Sequence, residues 1–501
     1  MSELLTSKEY AALAANIDFP CTPFIDGKYQ RGNGDKLLSV NPATGNTLCE
    51  IDSCNSEDVD LAVAKARESF DQGIWAKKHP SDRKEVLIKL CKLITRNRRE
   101  LAVMESLDSG KPIRDCELID VPETIQTIKW HAEAVDKMYD QTGPAGEDAL
   151  SLIVREPVGV VAAVLPWNFP LLMLAWKIAP ALASGNSVIV KPAEQTSLTA
   201  LRIAELATEA GIPRGVLQVL PGLGEAVGEP LGRHPGVDMV SFTGSTDTGR
   251  RFLTYAAQSN LKKVVLECGG KNPAVVLEDA EHLDLVAEHI VNGAFWNMGE
   301  NCSAISRLIV HEAIKPALLE RVTARVRDWK TGDPLNPANH LGALIDTEHQ
   351  KKVAGFLSNA DKATLIEGGT ANGVFIAPTI FDDVDPKSAL ATEEIFGPVL
   401  SVLTVSSVEQ AIELANDTDY GLTASVFTAN AKQALRTARA IKAGTVSVNC
   451  YGEGDSATPF GGYKQSGFGG RDNGVHAHEQ YTELKTIWVD LSDPATGDTV
   501  A

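Results

Sequence analysis

The sequence predicts an α/β protein: a doubly wound parallel sheet joined to a second α/β unit. Three observations carry this. Between about Val158 and Gly270, short valine-rich apolar runs alternate with helical runs, the pattern of parallel strands with right-handed crossovers. After Gly270 the alternation resumes with new strands, "PAVVLE", "SRLIVHE", "TASVFTA" and "GTVSVN". At 501 residues the chain is too long for one ordinary core, so two or three packed units are expected.

The elements follow in order. To about residue 150 the chain reads as mostly helical. "SEDVDLAVAKARESF" sets Val59, Val63, Ala66 and Phe70 at helical spacing behind Ser56 as the cap. "KEVLIKLCKLITRNRRELA" repeats the pattern with Leu87, Leu90, Leu93 and Ile94. Then "VGVVAAVL" reads as a strand buried on both faces. "LLMLAWKIAPALAS" is a helix stopped by Gly185. "NSVIVKP", "GVLQVLPG", "VDMVSFTGS" and "KKVVLECGG" are further strands, separated by helical segments. The terminal "YTELKTIWVDL" mixes Thr, Ile, Trp and Val with alternating charge and reads as a strand. It either pairs with another subunit or forms a simple edge.

Composition removes several classes of partner. Lys and Arg number 47 against 66 Asp and Glu, a net charge of -19. Such a surface repels nucleic acid and anionic membrane, so neither is an expected partner. The eight cysteines are scattered, without a C-x-x-C pair or zinc spacing, so no metal site is expected and the thiols read as reduced. The N-terminus shows no signal-peptide pattern, and no apolar run reaches the ~18 residues of a membrane span. The cytoplasm is the expected compartment.

Five short stretches bear on chemistry. Cys302 in "WNMGENCSAISR" is either a nucleophile or a small core hydrophobe. "LPWNFP" brackets Asn168 with two aromatics and two prolines; an amide held that rigidly suits an oxyanion site, although a turn asparagine is the simpler alternative. Glu267 in "LECGGK" falls where the two units meet. Burial there raises a carboxylate pKa towards that of a general base, unless Lys263 pairs with it. "FTGSTDTG" opens a helix, and Gly244 and Gly249 let its backbone approach a diphosphate, with Ser245 and Thr246 adding hydroxyls. It is not G-x-G-x-x-G, and most such turns are only turns. In "KPAEQT", Lys191 and Glu194 end a strand; a carboxylate there accepts from both ribose hydroxyls and disfavours a 2′-phosphate, the alternative being a solvated loop.

These stretches, with "EEIFGPVL" and "PFGGYKQSGFG", occur in one order along one chain. From about residue 20 to residue 490 the sequence resembles the aldehyde dehydrogenase superfamily. The resemblance implies a Rossmann-type NAD-binding domain over 1–135 and 156–266. It implies a catalytic domain over 267–475 and a small β oligomerisation arm from 136–155 and 476–501, in a homodimer or homotetramer. It implies that Cys302 attacks the aldehyde as a thiolate and that Asn168 and the Cys302 N–H hold the oxyanion. Hydride leaves to the nicotinamide, Glu267 activates water against the thioester, and Lys177 helps relay protons. NAD is the implied cofactor, with NADP the alternative. Its phosphates lie near Gly244, Ser245 and Gly249, its adenosine ribose on Lys191 and Glu194, and its nicotinamide ribose on Glu394 beside Phe396. Trp167 is assigned to the cofactor site and to the substrate tunnel.

Related chains read S-G-x-G-R-[DE] where this one has "SGFGGRD". The extra Gly470 leaves open whether Asp472 takes the relay position of that motif. Within the superfamily, "VREPVGVVAAVLPWNFPLLMLAWK", "DVDPKSALATEEIFGPVL" and "YTELKTIW" are similar to γ-glutamyl-γ-aminobutyraldehyde and guanidinobutyraldehyde dehydrogenases of polyamine catabolism. That implies an ω-amino, γ-glutamylamino or ω-guanidino aldehyde. The implied tunnel is lined by Asp120, Trp167, Met173, Trp176, Trp296, Ser303 and the loop "NCYGEGDS". Its aromatics offer faces to a cation, and Asp120 and Asp455 offer charge. The alternatives are a helix cap for Asp120 and a solvated loop for Asp455. An anionic semialdehyde would need a basic residue at the mouth, which these segments lack. A CoA-acylating role is disfavoured because Glu267 makes hydrolysis the expected fate of the thioester. A non-catalytic binding protein is disfavoured because Cys302, Glu267 and Asn168 are all present.

Overall fold

The computed structural model describes residues 4–492 except 361 and 453. Its first sheet is built on five parallel strands: β1 (Val160–Val164), β2 (Ser187–Lys191), β3 (Leu217–Val219), β4 (Met239–Thr243) and β5 (Lys263–Glu267). Their order is β3-β2-β1-β4-β5, so the winding reverses between β1 and β4. Strands β1, β2 and β4 are buried at every position, because helices cover both faces. The two-residue period divides their side chains cleanly. Val161, Ala163, Val188 and Val190 pack towards α1 (Pro170–Ala183), whereas Val160, Ala162, Val164 and Ile189 pack towards Val59 and Val63.

Both sheet edges carry antiparallel additions. Phe24–Ile25 pairs with β3, and Gly467–Phe468 pairs with β5, setting Gly467 opposite Glu267. The second pairing returns the "SGFGGRD" segment to the end of β5.

The second sheet holds β6 (Asn272–Val276), β7 (Ile305–His311), β8 (Thr379–Asp382), β9 (Val399–Val405), β10 (Thr423–Phe427) and β11 (Thr445–Val448). Their order is β8-β9-β7-β6-β10-β11, all parallel, with Thr364–Glu367 antiparallel beyond β8. The chain passes directly from β5 to β6, so Glu267 stands at the junction of the sheets. A third sheet pairs Thr482–Asp490 with Ala149–Pro157 over nine residues and adds Gln141–Gly143. The terminal strand is therefore an edge of a local ribbon, with Leu484, Ile487 and Trp488 exposed.

Two local expectations change. The helix Ser56–Gln72 is capped by Asn55, whose side chain accepts from Glu57 and Asp58 N–H groups while Asp58 reaches back to the Asn55 N–H. Asparagine caps as well as serine, and starting one residue earlier places a carboxylate at the third position to close the box. The second helical run divides at Asn97 into Pro80–Arg96 and Arg98–Ser109. There the Asn97 amide donates to the Leu93 carbonyl at 2.8 Å and competes with helix continuation.

Candidate active site

The carboxyl ends of the first sheet and the loop before β7 enclose a cavity of about 220 Å³. β1 delivers Trp167 and Asn168; β4 delivers Gly244 and Ser245; β5 delivers Glu267. Cys302, Glu394, Phe396 and Asp472 line it as well, with His349 and Lys352. Its apolar wall is a packed cluster of Phe169, Leu172, Met173, Trp176, Leu422 and Phe460, against which Trp296 and Cys302 lie.

Asn168 is rigid for reasons the sequence suggests. Pro170 opens α1, all fourteen of whose residues are buried, and the Leu171 N–H donates to the Glu105 carboxylate at 2.9 Å. The Asn168 amide is 6% exposed and donates to the Glu300 carbonyl at 3.0 Å. Cys302 is half-buried, and its carbonyl accepts from the Asn272 amide at 2.7 Å.

Glu267 is 3% exposed. Burial drives its pKa well above the ordinary carboxylate value, the Asp472 charge adds to this, and Lys177 opposes it. The Gly462 amide favours the charged form slightly, but neither carboxylate oxygen has a hydrogen bond of normal geometry among the described residues. A Cβ on Gly461 would stand 2.6 Å from Glu267 Oε1, so the glycine keeps that side open. Lys263 lies 3.8 Å from Glu483, which removes the alternative of a Lys263 pair.

Lys177 does not line the cavity. It is fully buried and donates to Asp472 at 2.7 Å. Asp472 is also fully buried, accepts from the Gln480 amide at 3.0 Å, and does line the cavity. The inserted Gly470 therefore leaves Asp472 at the site. Gly469, at φ 83, absorbs the turn, and paired backbone bonds between Phe460 and Asp472 fix the far side.

The residues expected to bind cofactor divide into three groups. Trp167, Gly244, Ser245, Glu394 and Phe396 line the cavity. Ser245 caps the helix α2 (Thr246–Ala257), its hydroxyl accepting from the Thr248 N–H. The Glu394 carboxylate accepts from the Gly270 N–H at 2.9 Å, and the Phe396 ring meets Trp167 edge-on at 5.3 Å. Lys191 and Glu194 lie outside the cavity at the carboxyl end of β2, 3.3 Å apart. Gly249 faces inward: a Cβ there would stand 3.2 Å from Cys268 Sγ and Leu266 Cδ1. It permits close helix–strand packing, and Cys268 is buried beside it.

Of the residues expected to bind substrate, Met173, Trp176 and Trp296 line the cavity, while Asp120, Ser303 and Asp455 do not. Asp120 is fully buried and 2.7 Å from Lys111 Nζ, itself 3.9 Å from the Phe169 ring centre. It makes no side-chain cap bond either. A carboxylate so deeply buried requires a dedicated cation, and Lys111 supplies it. Ser303 is buried and donates to Asn301 at 2.9 Å, within its own loop. Asp455 is exposed and accepts from the Ala457 N–H at 2.7 Å, closing a turn.

Glu123, one helical turn past Asp120, does line the cavity. Glu123 and Trp296 line the inner cavity and also an outer one of about 420 Å³, and so mark the passage between them. Arg114, Asp115, Trp329, His340 and Tyr451 contribute to the outer wall. Nothing in "DVPETIQTIKW" tells from sequence which face of the turn meets the tunnel.

The chain matches the aldehyde dehydrogenase family over residues 29–487. It belongs to that family. It is 61% identical to an aminoacetaldehyde dehydrogenase of Pseudomonas aeruginosa, over 98% of this chain and 100% of the relative. The structure of a γ-glutamyl-γ-aminobutyraldehyde dehydrogenase from Burkholderia cenocepacia superimposes with a TM-score of 0.96 at 46% identity, covering 97% of this chain and 100% of the other. A mutant of the P. syringae indole-3-acetaldehyde dehydrogenase AldA, in complex with NAD+ and IAA, matches with the same four values. Likeness of fold thus confirms this chain as an aldehyde dehydrogenase without choosing among substrates. No helix among the described residues is long and apolar enough to cross a membrane.

Proposed function

We propose that this aldehyde dehydrogenase oxidises a small ω-amino or ω-guanidino aldehyde to its acid with NAD. The residues in and beside the cavity suit the cofactor. A helix N-terminus capped by Ser245 opens onto it with free N–H groups for phosphate. Lys191 ends β2 and Glu194 follows it on the same carboxyl edge of the sheet, where a carboxylate meets ribose hydroxyls. Glu394 and Phe396 would flank the nicotinamide ribose. When bound, NAD supplies a hydride acceptor.

The chain's own groups account for the rest. Cys302 adds to the aldehyde carbon, and the Asn168 amide with the Cys302 N–H holds the resulting oxyanion. Oxidation of that adduct leaves a thioester on Cys302. Glu267, its pKa raised by burial, takes a proton from water as the water attacks the thioester, and cleavage of the C–S bond releases the acid and returns Cys302 as its thiolate. Lys177 and Asp472 provide a buried route for that proton.

Glu123 at the junction of the two cavities carries the substrate class. A cation beyond the aldehyde carbon would meet this carboxylate and the faces of Trp296, Trp329 and Tyr451. Arg114, which also reaches the outer wall, has Asp115 3.7 Å away. The similarity to the aminoacetaldehyde enzyme supports the same reading. The test is steady-state oxidation of aminoacetaldehyde, γ-aminobutyraldehyde and its γ-glutamyl and guanidino derivatives. Hexanal, succinate semialdehyde and indole-3-acetaldehyde serve as comparisons, for wild type and Glu123→Gln. The nitrogenous aldehydes are expected to win, with KM rising about tenfold in the variant, the worth of one partly screened charge contact. Preference for hexanal or indole-3-acetaldehyde, unchanged in the variant, sinks the assignment.

We also propose a homodimer or homotetramer formed through the arm, whose terminal strand exposes Leu484 and Trp488 on one face and Ile487 on the other. Trp488→Glu should then lower the mass measured by light scattering. Eight free cysteines support the cytoplasm as its compartment.

A further inference from the structure

Asn297 lies five residues before Cys302 and does not line the cavity. It is fully buried, and its backbone is left-handed at φ 54, as is that of Met298 at φ 57. Outside glycine, asparagine enters that region with least difficulty. Its side-chain Nδ2 donates to two backbone carbonyls, Asn168 at 3.1 Å and Glu300 at 2.9 Å. The Asn168 side chain donates to the same Glu300 carbonyl at 3.0 Å. Two of these bonds tie the loop after β1 to the loop that carries Cys302, and the third braces the Cys302 loop internally.

The arrangement fixes more than distance. Both acceptors of Asn297 are carbonyl oxygens, so turning its amide over would set oxygen against oxygen. Its own Oδ1 has no hydrogen-bond partner among the described residues, so the NH2 end alone holds the side chain. The same logic orients Asn168. One of its two amide N–H groups is used on Glu300, which leaves the other for a ligand. Glu300 is itself anchored, its carboxylate accepting from the Ile345 N–H at 3.1 Å.

We propose that Asn297 is the positioning residue of the oxyanion site: it holds the Glu300 carbonyl and the Asn168 backbone in the one relation that aims the free Asn168 N–H at the carbonyl oxygen of the substrate. The inference rests on the reading of Asn168 as the oxyanion donor. Donors of this kind act only when fixed in advance.

The test is a double-mutant cycle of Asn297→Gly, which keeps the left-handed backbone, with Asn168→Ala. Two rates are read: the single-turnover acylation rate with substrate and NAD, and the alkylation of Cys302 by iodoacetamide, which builds no oxyanion. Asn297→Gly should slow acylation about 30-fold, within the range for a reactive group misplaced by about 1 Å. In the Asn168→Ala background it should slow acylation less than about threefold, because residues acting as one unit are not additive. Alkylation should stay within about threefold throughout, since the nucleophile is left in place. Equal slowing in both backgrounds, a parallel loss of alkylation, or unchanged acylation overturns the proposal. Asn297→Ser is read in the same way if the glycine variant does not fold. An Asn168→Ala variant that acylates normally overturns the donor assignment itself, a result distinct from failure of the Asn297 variants alone.

Discussion

The Lys177 ammonium and the Asp472 carboxylate meet at 2.7 Å with neither side chain exposed, and both charges act on the general base proposed here. The pair sets the charge around Glu267: Asp472 raises the pKa of Glu267, and Lys177 lowers it. Replacing Asp472 by Asn removes the raising charge, so Glu267 ionises at lower pH. The acid limb of the kcat profile of Asp472→Asn should therefore move to lower pH. The maximum rate should also fall, by about tenfold to 100-fold, as expected when a proton route is interrupted. An acid limb that moves to higher pH, or does not move, would remove Asp472 from this electrostatic role.

Gly470 makes a second prediction about the same residue. A Cβ there would overlap the Gln480 side chain, whose amide donates to Asp472 at 3.0 Å. Gln480 is buried and cannot simply turn into solvent. Gly470→Ala should cost about 1–3 kcal/mol of stability as an overpacked site. It should also lower kcat by a few fold while leaving KM unchanged. Normal kcat in the alanine variant would mean that Gln480 does not help to hold Asp472.

How far the sequence could be read follows from what kind of signal each residue sends. The strands of the first sheet announce themselves as unbroken apolar runs because both faces are covered, and β1, β2 and β4 lie where "VGVVAAVL", "NSVIVKP" and "VDMVSFTGS" set them. Residues at the ends of those strands, Asn168, Ser245 and Glu267, come together because a parallel sheet puts its carboxyl ends on one edge. Contacts between remote loops leave no such trace. Asp120 and Glu123 are three residues apart on one turn, and only the packing of that turn sends one to Lys111 and the other to the tunnel. The return of Gly467 to pair beside Glu267 is likewise a matter of topology, and it alone resolves the Gly470 insertion.

The displaced acidic residues can be separated by experiment. Asp455 closes an exposed turn outside both cavities, so Asp455→Asn should leave every KM on the aldehyde panel within about twofold of wild type. Asp120→Asn should instead act on the fold. It strands the buried Lys111 charge beneath Phe169, a loss of about 3–5 kcal/mol for a broken buried pair. A thermal melt should fall sharply for Asp120→Asn and hardly at all for Asp455→Asn. A KM effect at Asp455 confined to nitrogenous aldehydes would return it to the tunnel.

The last prediction concerns acid stability. His131 and His478 are buried against each other, Nδ1 of one 2.9 Å from Nε2 of the other. Burial holds His131 well below its ordinary pKa, with the charge of His478 adding to this; burial and the Arg83 charge bring His478 to about 4. Unfolded histidines titrate near 6.5, so between about pH 6.5 and 4 the unfolded chain binds the extra protons. Stability from the pair is complete above about pH 6.5 and is lost as pH falls, at up to about 1.4 kcal/mol per pH unit for each ring. Buried carboxyls act in the opposite sense. Burial raises Glu105 to about 8 and Asp108 and Asp115 to about 7, so their contribution is complete at low pH and is lost as pH rises from about 4 to about 7 for the aspartates and about 8 for Glu105. The two effects overlap, and the wild-type melting curve alone hides both. The decisive quantity is the difference between wild type and His478→Gln, in which glutamine keeps a hydrogen-bonding partner for His131 but cannot take up a proton. From pH 7 to pH 5 the wild type should lose more melting temperature than the variant does. Equal losses would show that the histidine pair is not the acid-sensitive contact.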